Sequence, residues 1–265
     1  MSENRVVPEI LEVEFFRRAA ERTVGRRVRA VSHVDPLVVE DGVAEVLVSR
    51  RVVGVRRIGK VLTMDLGSRA SVVDVSIDLH FGMSGRIIVD GEAPVGELAY
   101  GASDDDRWLR FGMTFDRGWM AISDPRRFAR VSSSRDGEGL GPDAFTVDRA
   151  TFRRRLAGRR GPLKAVLLDQ SVIAGLGNML VDEILWRVGI DPHRSVSGLE
   201  PSDVAKVHDT MRRVLAQLDR RGGSHAGDLS VEHRRPGECC PRDGEPLERS
   251  TVGGRTTFWC PRHQR

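Results

Sequence analysis

Lysine, tyrosine and cysteine are scarce in this sequence, and long apolar stretches are missing from it. Of its 265 residues, one is Tyr, three are Cys and three are Lys, the last being Lys60, Lys164 and Lys206. No apolar run approaches the roughly 20 residues of a membrane-spanning helix. The first residues, MSENRVV, also lack the apolar core of a secretory signal. We therefore expect a cytoplasmic protein that makes no membrane contact.

The three cysteines all lie within the last 27 residues. They are too few for a disulfide framework, and in a reducing compartment they are more typical of a metal site. The rest of the composition, 40% hydrophobic and 30% charged residues, is that of a globular chain with an adequate core. It excludes collagen, coiled coils and wholesale disorder, and the length allows one large or two ordinary domains.

The basic residues are almost all arginine. The formal net charge is only +4, yet 39 of the 42 basic residues are Arg. One explanation is a GC-rich genome whose codons favour Arg. The other is phosphate recognition, because the planar guanidinium pairs bidentately with phosphate and with base edges. Charge alone does not choose between the two.

The first half of the chain changes its periodicity after one helix. Residues 8–25 place apolar side chains at helical spacing, with acidic residues in the first turn and Gly25 at the end, which predicts a helix. Short β-branched runs from Val28 to Val131, one of them at residues 44–58, predict strands of an antiparallel sandwich or barrel. The polar stretch at residues 91–107 is expected to be a mobile loop.

Turn-forming residues from Ser132 to Ala144 mark the best domain boundary. After them, apolar residues at three- and four-residue spacing predict helices up to about residue 220. The tail from Gly237 onward has strand and turn composition between potential metal ligands. We find no internal repeat at solenoid periods.

A glycine-rich turn at residues 174–177 leads into a helix that Asn178 opens. Backbone amides at such a helix start, with the Asn side chain beside them, form a phosphate cradle. Taken alone, such a turn is at least as often a plain structural connection. The surrounding string LKAVLLDQSVIAGLGNMLVDEILWR, however, resembles the helix–two-turn–helix of the formamidopyrimidine-DNA glycosylase and endonuclease VIII family.

The resemblance extends over residues 7–265, with the family's strings in the expected order: PEILEVE, RRIGKVLTMDL, LHFGMSG, DPRRF, LGPDAF and GRTTFWCPRHQ. It implies an α+β fold, with an N-terminal helix and antiparallel β-sandwich followed by a helical domain and a zinc-finger-like β-hairpin. The implied domains are a catalytic domain at 7–131, a linker at 132–145, a helix–two-turn–helix domain at 146–225 and the hairpin at 236–265.

The resemblance also implies a bifunctional DNA glycosylase and abasic-site lyase (β/δ-elimination) that acts on oxidised bases in duplex DNA, as a cytoplasmic, nucleoid-associated bacterial monomer. Pro8 would be the nucleophile that attacks C1′ of the damaged nucleotide, Glu9 would manage proton transfer, and Glu12 would support the same site. The alternative is structural: Pro8 is a favoured first helical residue, and the two acids complement the helix dipole.

Lys60 and Arg255 occupy the family's phosphate-contacting positions. This chain has Lys60 where its own composition would favour Arg, and the compact ammonium suits a single phosphate beside the lesion. The alternative for Lys60 is a solvated residue at a strand end. The resemblance also gives Asn178 and His80 a role in DNA binding.

Met83, Arg126 and Phe128 match the family's wedge. Chemistry on a base requires its removal from the stack, and an apolar filler offsets an unstacking cost of a few kcal/mol. In the family, Met and Phe fill the gap and Arg bonds the orphaned opposite base. Without the resemblance, Met83 and Phe128 would more often be core residues.

The sequence departs from the family in its metal ligands. The family has Cys-x2-Cys, sixteen residues, then Cys-x2-Cys, whereas this chain keeps the spacing with Cys240, Asp243, Cys260 and His263. All four are legitimate zinc ligands, although a carboxylate in place of a thiolate should bind zinc less tightly. We expect one structural zinc ion per chain, and a metal-free hairpin is the alternative. Cys239 could substitute for Asp243.

Two further departures concern the substrate and the reaction. Residues 221–238 are short for the loop that folds over extruded 8-oxoguanine in the purine-specific branch, which indicates a changed or absent base preference. Residues 1–7 precede Pro8, so its nitrogen is an amide as written. Either Val7 is the true initiator and is removed, or the chain is a catalytically silent binder of damaged DNA. A zinc-ribbon regulator is disfavoured, because it explains neither PEILEVE nor the wedge.

Overall fold

The computed structural model describes residues 7–69, 71–95 and 106–265. Contacts divide the chain into two compact units, of which the first holds Glu12–Glu138 together with the residues up to Pro8. The second unit holds Glu9–Leu11 and Gly139–Arg265. Most of the loop that we expected to be mobile, residues 96–105, lies outside the described residues, and so do the first six residues.

Helix α1 spans Ile10–Glu21 and confirms the first predicted helix. Its apolar side chains recur every three or four residues, and Ile10, Val13 and Phe16 have no exposed surface. The chain then leaves the helix through Gly25, whose positive φ of 85° suits a residue without Cβ.

Eight strands of the first unit form two four-stranded antiparallel sheets, as predicted. In the first sheet the order is β1-β6-β7-β5, and in the second it is β2-β3-β4-β8. Inward-facing strand residues such as Leu62, Met64 and Leu66 are fully buried, which is the period-two pattern expected for a packed sheet. The strands are β1 (Val28–Ser32), β2 (Arg51–Ile58), β3 (Val61–Gly67), β4 (Val75–His80), β5 (Arg86–Val89), β6 (Leu109–Phe115), β7 (Trp119–Ser123) and β8 (Arg130–Ser133).

The predicted strand at residues 44–58 is wrong in its first part. Val43–Leu47 form a short helix, α2, which starts after Gly42 in a left-handed conformation. Val43 and Leu47 lie four residues apart and are both buried, so packing on one helical face overrides the β propensity of the valines. The strand begins only at Arg51.

The second unit is helical up to Arg221, as predicted. Its core joins Ile10 and Leu11 to the apolar faces of the later helices, with Leu180, Ile184 and Leu215 at its centre. Among the described residues, no helix is long and apolar enough to cross a membrane. The helices are α3 (Arg149–Leu156), α4 (Leu163–Leu168), α5 (Asn178–Val188) and α6 (Pro201–Arg221).

A β-hairpin follows, formed by β9 (Glu248–Val252) and β10 (Arg255–Trp259). Gly253 and Gly254 make the two-residue turn with φ of 58° and 72°, the conformation that a tight hairpin needs at both positions. A Cβ on Gly253 would lie 3.0 Å from the Cβ of Ala165, so the turn sits directly against the first turns of α4.

Candidate functional site

Two loops of the first unit bring the predicted wedge residues together. Met83 lies in the turn between β4 and β5, and Arg126 and Phe128 lie in the loop between β7 and β8. A Cβ on Gly82 would come within 2.4 Å of the Phe128 carbonyl oxygen, so only glycine allows this approach. The residue beside Met83 therefore packs directly on the backbone of Phe128.

A buried aspartate holds both loops. Asp124 has no exposed surface, and its carboxylate accepts the backbone N–H groups of Arg126 at 3.0 Å and of Phe128 at 2.6 Å. It also accepts a hydrogen bond from the Ser84 hydroxyl in the Met83 turn. Sequence reasoning missed Asp124, although an Asp before Pro in a turn is a recognisable signal for such side-chain to backbone bonds.

The wedge side chains differ in exposure. Phe128 keeps 47% of its surface exposed, which is unusual for an aromatic side chain, whereas Met83 is half-buried. The Arg126 guanidinium stacks over the Phe128 ring at 4.5 Å from its centroid. The Phe128 ring therefore has a cation over one face while about half of its surface stays accessible to solvent.

Lys60 and His80 are neighbours in the second sheet. Lys60 is half-buried in the two-residue turn between β2 and β3, and His80 pairs with Val61 across β3 and β4. Desolvation lowers the pKa of His80, and the Lys60 ammonium lowers it further, although the residue as a whole is exposed. In its neutral form, His80 Nδ1 accepts the Gly82 N–H at 3.1 Å, which links it to the Met83 turn.

Glu9 caps helix α5 in the second unit. The carboxylate is 2% exposed and accepts the backbone N–H groups of Met179 at 2.8 Å, Gly177 at 3.0 Å and Leu180 at 3.2 Å. The predicted phosphate cradle is therefore wrong for these three amides, because a carboxylate of the same chain already binds them. A Cβ on Gly177 would fall 2.2 Å from the Glu9 carboxyl carbon, so the contact also requires glycine there.

The other predicted residues of the N-terminal string are buried. Pro8 is buried just before α1, and Glu12 lies in the first turn of that helix with no exposed surface. A buried carboxylate is costly unless hydrogen bonds or charges compensate for its lost hydration. Glu9 and Glu12, the first two acids of the string, are both buried. Their burial favours a specific role over that of solvated acids at a helix end.

Asn178 and Arg255 meet at the hairpin. Asn178 opens α5, and its Nδ2 donates to the Thr256 carbonyl at 2.9 Å. Arg255 is the first residue of β10, next to Thr256, and is exposed. The hydrogen bond therefore places the hairpin arginine at a defined register beside the start of α5.

A buried charge network secures the same register. Lys164 of α4 is fully buried, and its Nζ lies 2.6 Å from Asp182 Oδ1 and donates to Thr257 Oγ1 at 2.7 Å and to the Thr256 carbonyl at 3.1 Å. Arg234 Nη2 lies 2.7 Å from the other oxygen of Asp182. Burial lowers the pKa of Lys164, and the Asp182 carboxylate opposes that shift. Sequence reasoning noted the rarity of Lys here but did not assign this role.

The four predicted metal ligands lie together at the base of the hairpin. One donor atom from each of Cys240, Asp243, Cys260 and His263 falls within 4.8 Å of all the others, so the four could hold a metal ion. His263 Nε2 bonds the Trp186 carbonyl at 3.1 Å, which leaves Nδ1 to face the cluster. Such outer partners orient ligating histidines in metal sites.

Two of the four side chains in the cluster have pKa values shifted in opposite directions. Burial raises the pKa of Asp243, but hydrogen bonds from His263 and the Glu245 amide outweigh it and lower the pKa well below its usual range. Burial also raises the pKa of Cys260 to about 11, a shift that a bound dication would reverse. Cys239 is exposed and lies outside the cluster, so the structure does not favour it as a replacement for Asp243.

Comparison with known proteins gives the same family as the resemblance in the sequence. The family model of the formamidopyrimidine-DNA glycosylase N-terminal domain matches residues 7–131, and that of the formamidopyrimidine-DNA glycosylase H2TH domain matches residues 139–227. The chain belongs to the formamidopyrimidine-DNA glycosylase family. The family assignment and the fold class that the sequence predicted are therefore confirmed.

Relatives within the family cover nearly the whole chain. The formamidopyrimidine-DNA glycosylases of Rhodopseudomonas palustris and Acidovorax sp. are 35% and 34% identical to it, over 98% of this chain and 100% of theirs. A Lactococcus lactis Fpg mutant in complex with Fapy-dG containing DNA has a TM-score of 0.81 at 26% identity, covering 97% of this chain and 100% of that one. The MutM (Fpg) protein of Thermus thermophilus has a TM-score of 0.79 at 30% identity, covering 97% of this chain and 98% of that one.

Proposed function

We propose that this chain is a DNA glycosylase of base excision repair that also cleaves abasic sites, and that its substrates are oxidised bases in duplex DNA. The observation that carries the proposal is the wedge, in which an exposed Phe128 stacked under Arg126 is held against the Met83 turn by buried Asp124. The names of the relatives and the DNA in the Lactococcus complexes support the same substrate class.

In the proposed reaction, the secondary amine of Pro8 attacks C1′ of the damaged nucleotide. The bond from nitrogen to C1′ forms as the bond from C1′ to the base breaks, and the proton of the amine leaves with the base. Protonation of the ring oxygen then opens the sugar and gives a Schiff base. Loss of a proton from C2′ then expels the 3′ phosphate, and a second elimination expels the 5′ phosphate. Glu9, which is fixed by the α5 amides, would donate the proton to the ring oxygen as the ring opens and would take it back afterwards.

The remaining predicted residues would bind the DNA around this centre. Lys60, Arg255 and Asn178 contact phosphates, while Met83, Phe128 and Arg126 fill the place of the everted nucleotide. Glu12 and His80 support the pocket from α1 and β4. On this proposal, the catalytic domain is residues 7–131 and the linker is residues 132–145. The helix–two-turn–helix domain that binds phosphate is residues 146–225, and the metal-stabilised hairpin is residues 236–265. The protein works as a monomer in the cytoplasm, at the nucleoid.

Pro8 can act only when it is the first residue, because an amide nitrogen has no available lone pair. We therefore expect borohydride to trap a covalent complex with abasic-site DNA when the protein begins at Pro8, and no complex when it begins at Met1. Pro8→Gly in the protein beginning at residue 8 keeps a primary amine and should retain some trapping. A protein beginning at Pro8 that binds abasic DNA but does not trap would contradict the lyase.

The second candidate is a catalytically silent binder of damaged DNA. The specific observation that favours it is Val7, a described residue that precedes Pro8 by a peptide bond. It predicts equal binding of abasic-site DNA by the proteins that begin at Met1 and at Pro8, with no strand cleavage by either. This candidate would be excluded if the protein that begins at Pro8 cleaved the strand and the protein that begins at Met1 did not.

The metal is proposed to be one structural zinc ion. Two buried thiols, a carboxylate and an oriented imidazole fit the ligand preferences of zinc, which stabilises a fold by cross-linking its ligands. We expect Asp243→Cys to raise zinc affinity, because a thiolate is the softer ligand, and Asp243→Ala to lower it. Competition with a chromophoric chelator measures the zinc affinity of each variant. Equal affinities of the wild type and the two Asp243 variants would place the ion elsewhere.

A further inference from the structure

A run of arginines in the second unit has no part in the site described so far. Residues 149–160, which cover α3 and the loop after it, contain six Arg and no acidic residue. The rest of the chain has 36 basic and 38 acidic side chains, so this run carries the whole positive excess of the protein. Arg-favouring codon usage would explain why a cation is Arg and not Lys, but it would not explain why acids are missing from this run.

Ion pairing separates this run from two other arginine-rich stretches, residues 50–60 and 17–26. In residues 50–60, Arg50, Arg56 and Arg57 bind Asp74, Asp65 and Glu14 at 2.9–3.0 Å. In residues 17–26, Arg17, Arg22 and Arg26 likewise bind carboxylates at 2.6–3.0 Å. Most arginines of these two stretches are therefore neutralised within the fold.

The run on α3 is left largely unneutralised. Arg149 binds Asp209 at 2.6 Å and Arg159 lies 3.8 Å from Asp169. The other four arginines of the run are exposed and have no carboxylate partner among the described residues: Arg153, Arg154, Arg155 and Arg160. Phe152 and Leu156 turn the opposite face of α3 into the core, so the three helical arginines point to solvent.

The run leads directly to the hairpin turn. Arg160 is five residues before Ala165, on which the turn at Gly253 packs. Five residues of chain span at most about 18 Å, and this distance corresponds to about five base pairs of B-form DNA at 3.4 Å each. Exposed Arg255 lies at that same turn, so a duplex that runs past it comes within reach of the arginine run.

We propose that Arg153, Arg154, Arg155 and Arg160 form a second phosphate-binding surface that extends the DNA contact beyond the lesion. This inference rests on the proposed function, since it assumes that the hairpin turn faces DNA. The surface takes duplex backbone without regard to sequence, because guanidinium groups on α3 reach phosphates and no base edge is required. The consequence is that affinity depends on how much undamaged duplex flanks the abasic site.

The test uses the full chain and two duplexes, of about 9 and about 25 base pairs, each with a central abasic-site analogue. The shorter duplex extends about four base pairs on either side of the lesion, which is less than the reach of about five, and the longer one extends about 12. One variant carries Arg→Gln at all four surface positions, since Gln keeps helix propensity and removes charge. The charge-matched control carries Arg→Gln at four other exposed positions: Arg69, Arg117, Arg135 and Arg220. Melting temperature reports any damage to the fold.

On the longer duplex, we expect the surface variant to lose at least about tenfold in affinity at about 100 mM salt. The slope of log affinity against log salt should fall by about 2 to 4, at about 0.9 for each phosphate contact. On the shorter duplex, the affinity of the surface variant should equal that of the wild type. The affinity of the control variant should equal that of the wild type on both duplexes. An unchanged slope on the long duplex, or an equal loss on both duplexes, overturns the proposal. Wild-type protein that binds neither duplex would contradict the proposed function itself.

Discussion

At the scale of single residues, Glu9 shows how a carboxylate can be stabilised in a buried position. Three amides from the start of α5 surround it, so its charge is stabilised by the helix end that the sequence had suggested for phosphate. The same contact ties the string around Pro8 to the glycine-rich turn. Gly177 is required because its hydrogen occupies the place where any Cβ would meet the Glu9 carboxyl group.

Gly177→Ala should therefore damage both stability and chemistry. We expect a loss of about 1–3 kcal/mol in the free energy of unfolding, because the added methyl displaces the Glu9 side chain or the turn. Denaturant unfolding measures this loss, and trapping on abasic DNA should fall in parallel. Gly198→Ala is the control, since nothing lies within 4 Å of its added Cβ. Equal stability of the two variants would show that Glu9 does not need this glycine.

At the scale of elements, the hairpin has two separate attachments. Cys240, Asp243, Cys260 and His263 close its base, whereas Lys164 and Asn178 hold the Thr256 carbonyl near its turn. The second attachment involves no metal ligand. Arg255 should consequently keep much of its position when the metal is removed, and lose it when the buried lysine is replaced.

Lys164→Met tests the second attachment. The variant leaves Asp182 and Arg234 buried without the ammonium between Asp182 and the hairpin, and breaking a buried pair costs about 3–5 kcal/mol. We expect weaker DNA binding with zinc content unchanged. Lys206→Met, at the exposed lysine of α6, should alter neither property. Loss of zinc together with DNA binding in the Lys164 variant would mean that the two attachments are one cooperative unit.

At the scale of the whole molecule, the proposed phosphate contacts include residues of both units. The formal net charge of +4 is small, so any attraction to DNA depends on where the cations lie and not on their total. Lys60 belongs to the first unit and Arg255 to the second. A duplex that engages both should therefore report their loss additively.

Lys60→Ala and Arg255→Ala should each lower the salt slope of duplex binding by about 0.9, and the double variant by about 1.8. The reason is that each phosphate contact releases condensed counterions when it forms. Titrations between about 50 and about 200 mM salt measure the slope, with Lys206→Ala as the matched control. If the double variant keeps the wild-type slope and affinity, neither residue contacts phosphate.

Local pattern was sufficient for most of the elements and for the family. Periodicity predicted α1, the antiparallel strands and the helices up to Arg221, because side-chain spacing reflects which face of each element is buried. It failed at Val43–Leu47, where two buried side chains four residues apart outweigh β-branched composition. The strings around Pro8, Met83 and Asn178 carried the family assignment. The catalytic and DNA-binding roles of their residues stay predictions.

By itself the sequence determined which side chains could ligate a metal, since the sixteen-residue spacing survives the change of two ligands. Only the tertiary structure decided which charges are compensated. Lys164 is buried between Asp182 and the hairpin, and Glu9 accepts hydrogen bonds from helix amides. Among the described residues, Arg153, Arg154 and Arg155 of α3 have no carboxylate partner, whereas Arg56 and Arg57 of β2 are paired with Asp65 and Glu14. The reason is physical: the energy of a charge depends on neighbours distant in sequence and on its exposure to water, and neither is written in local spacing.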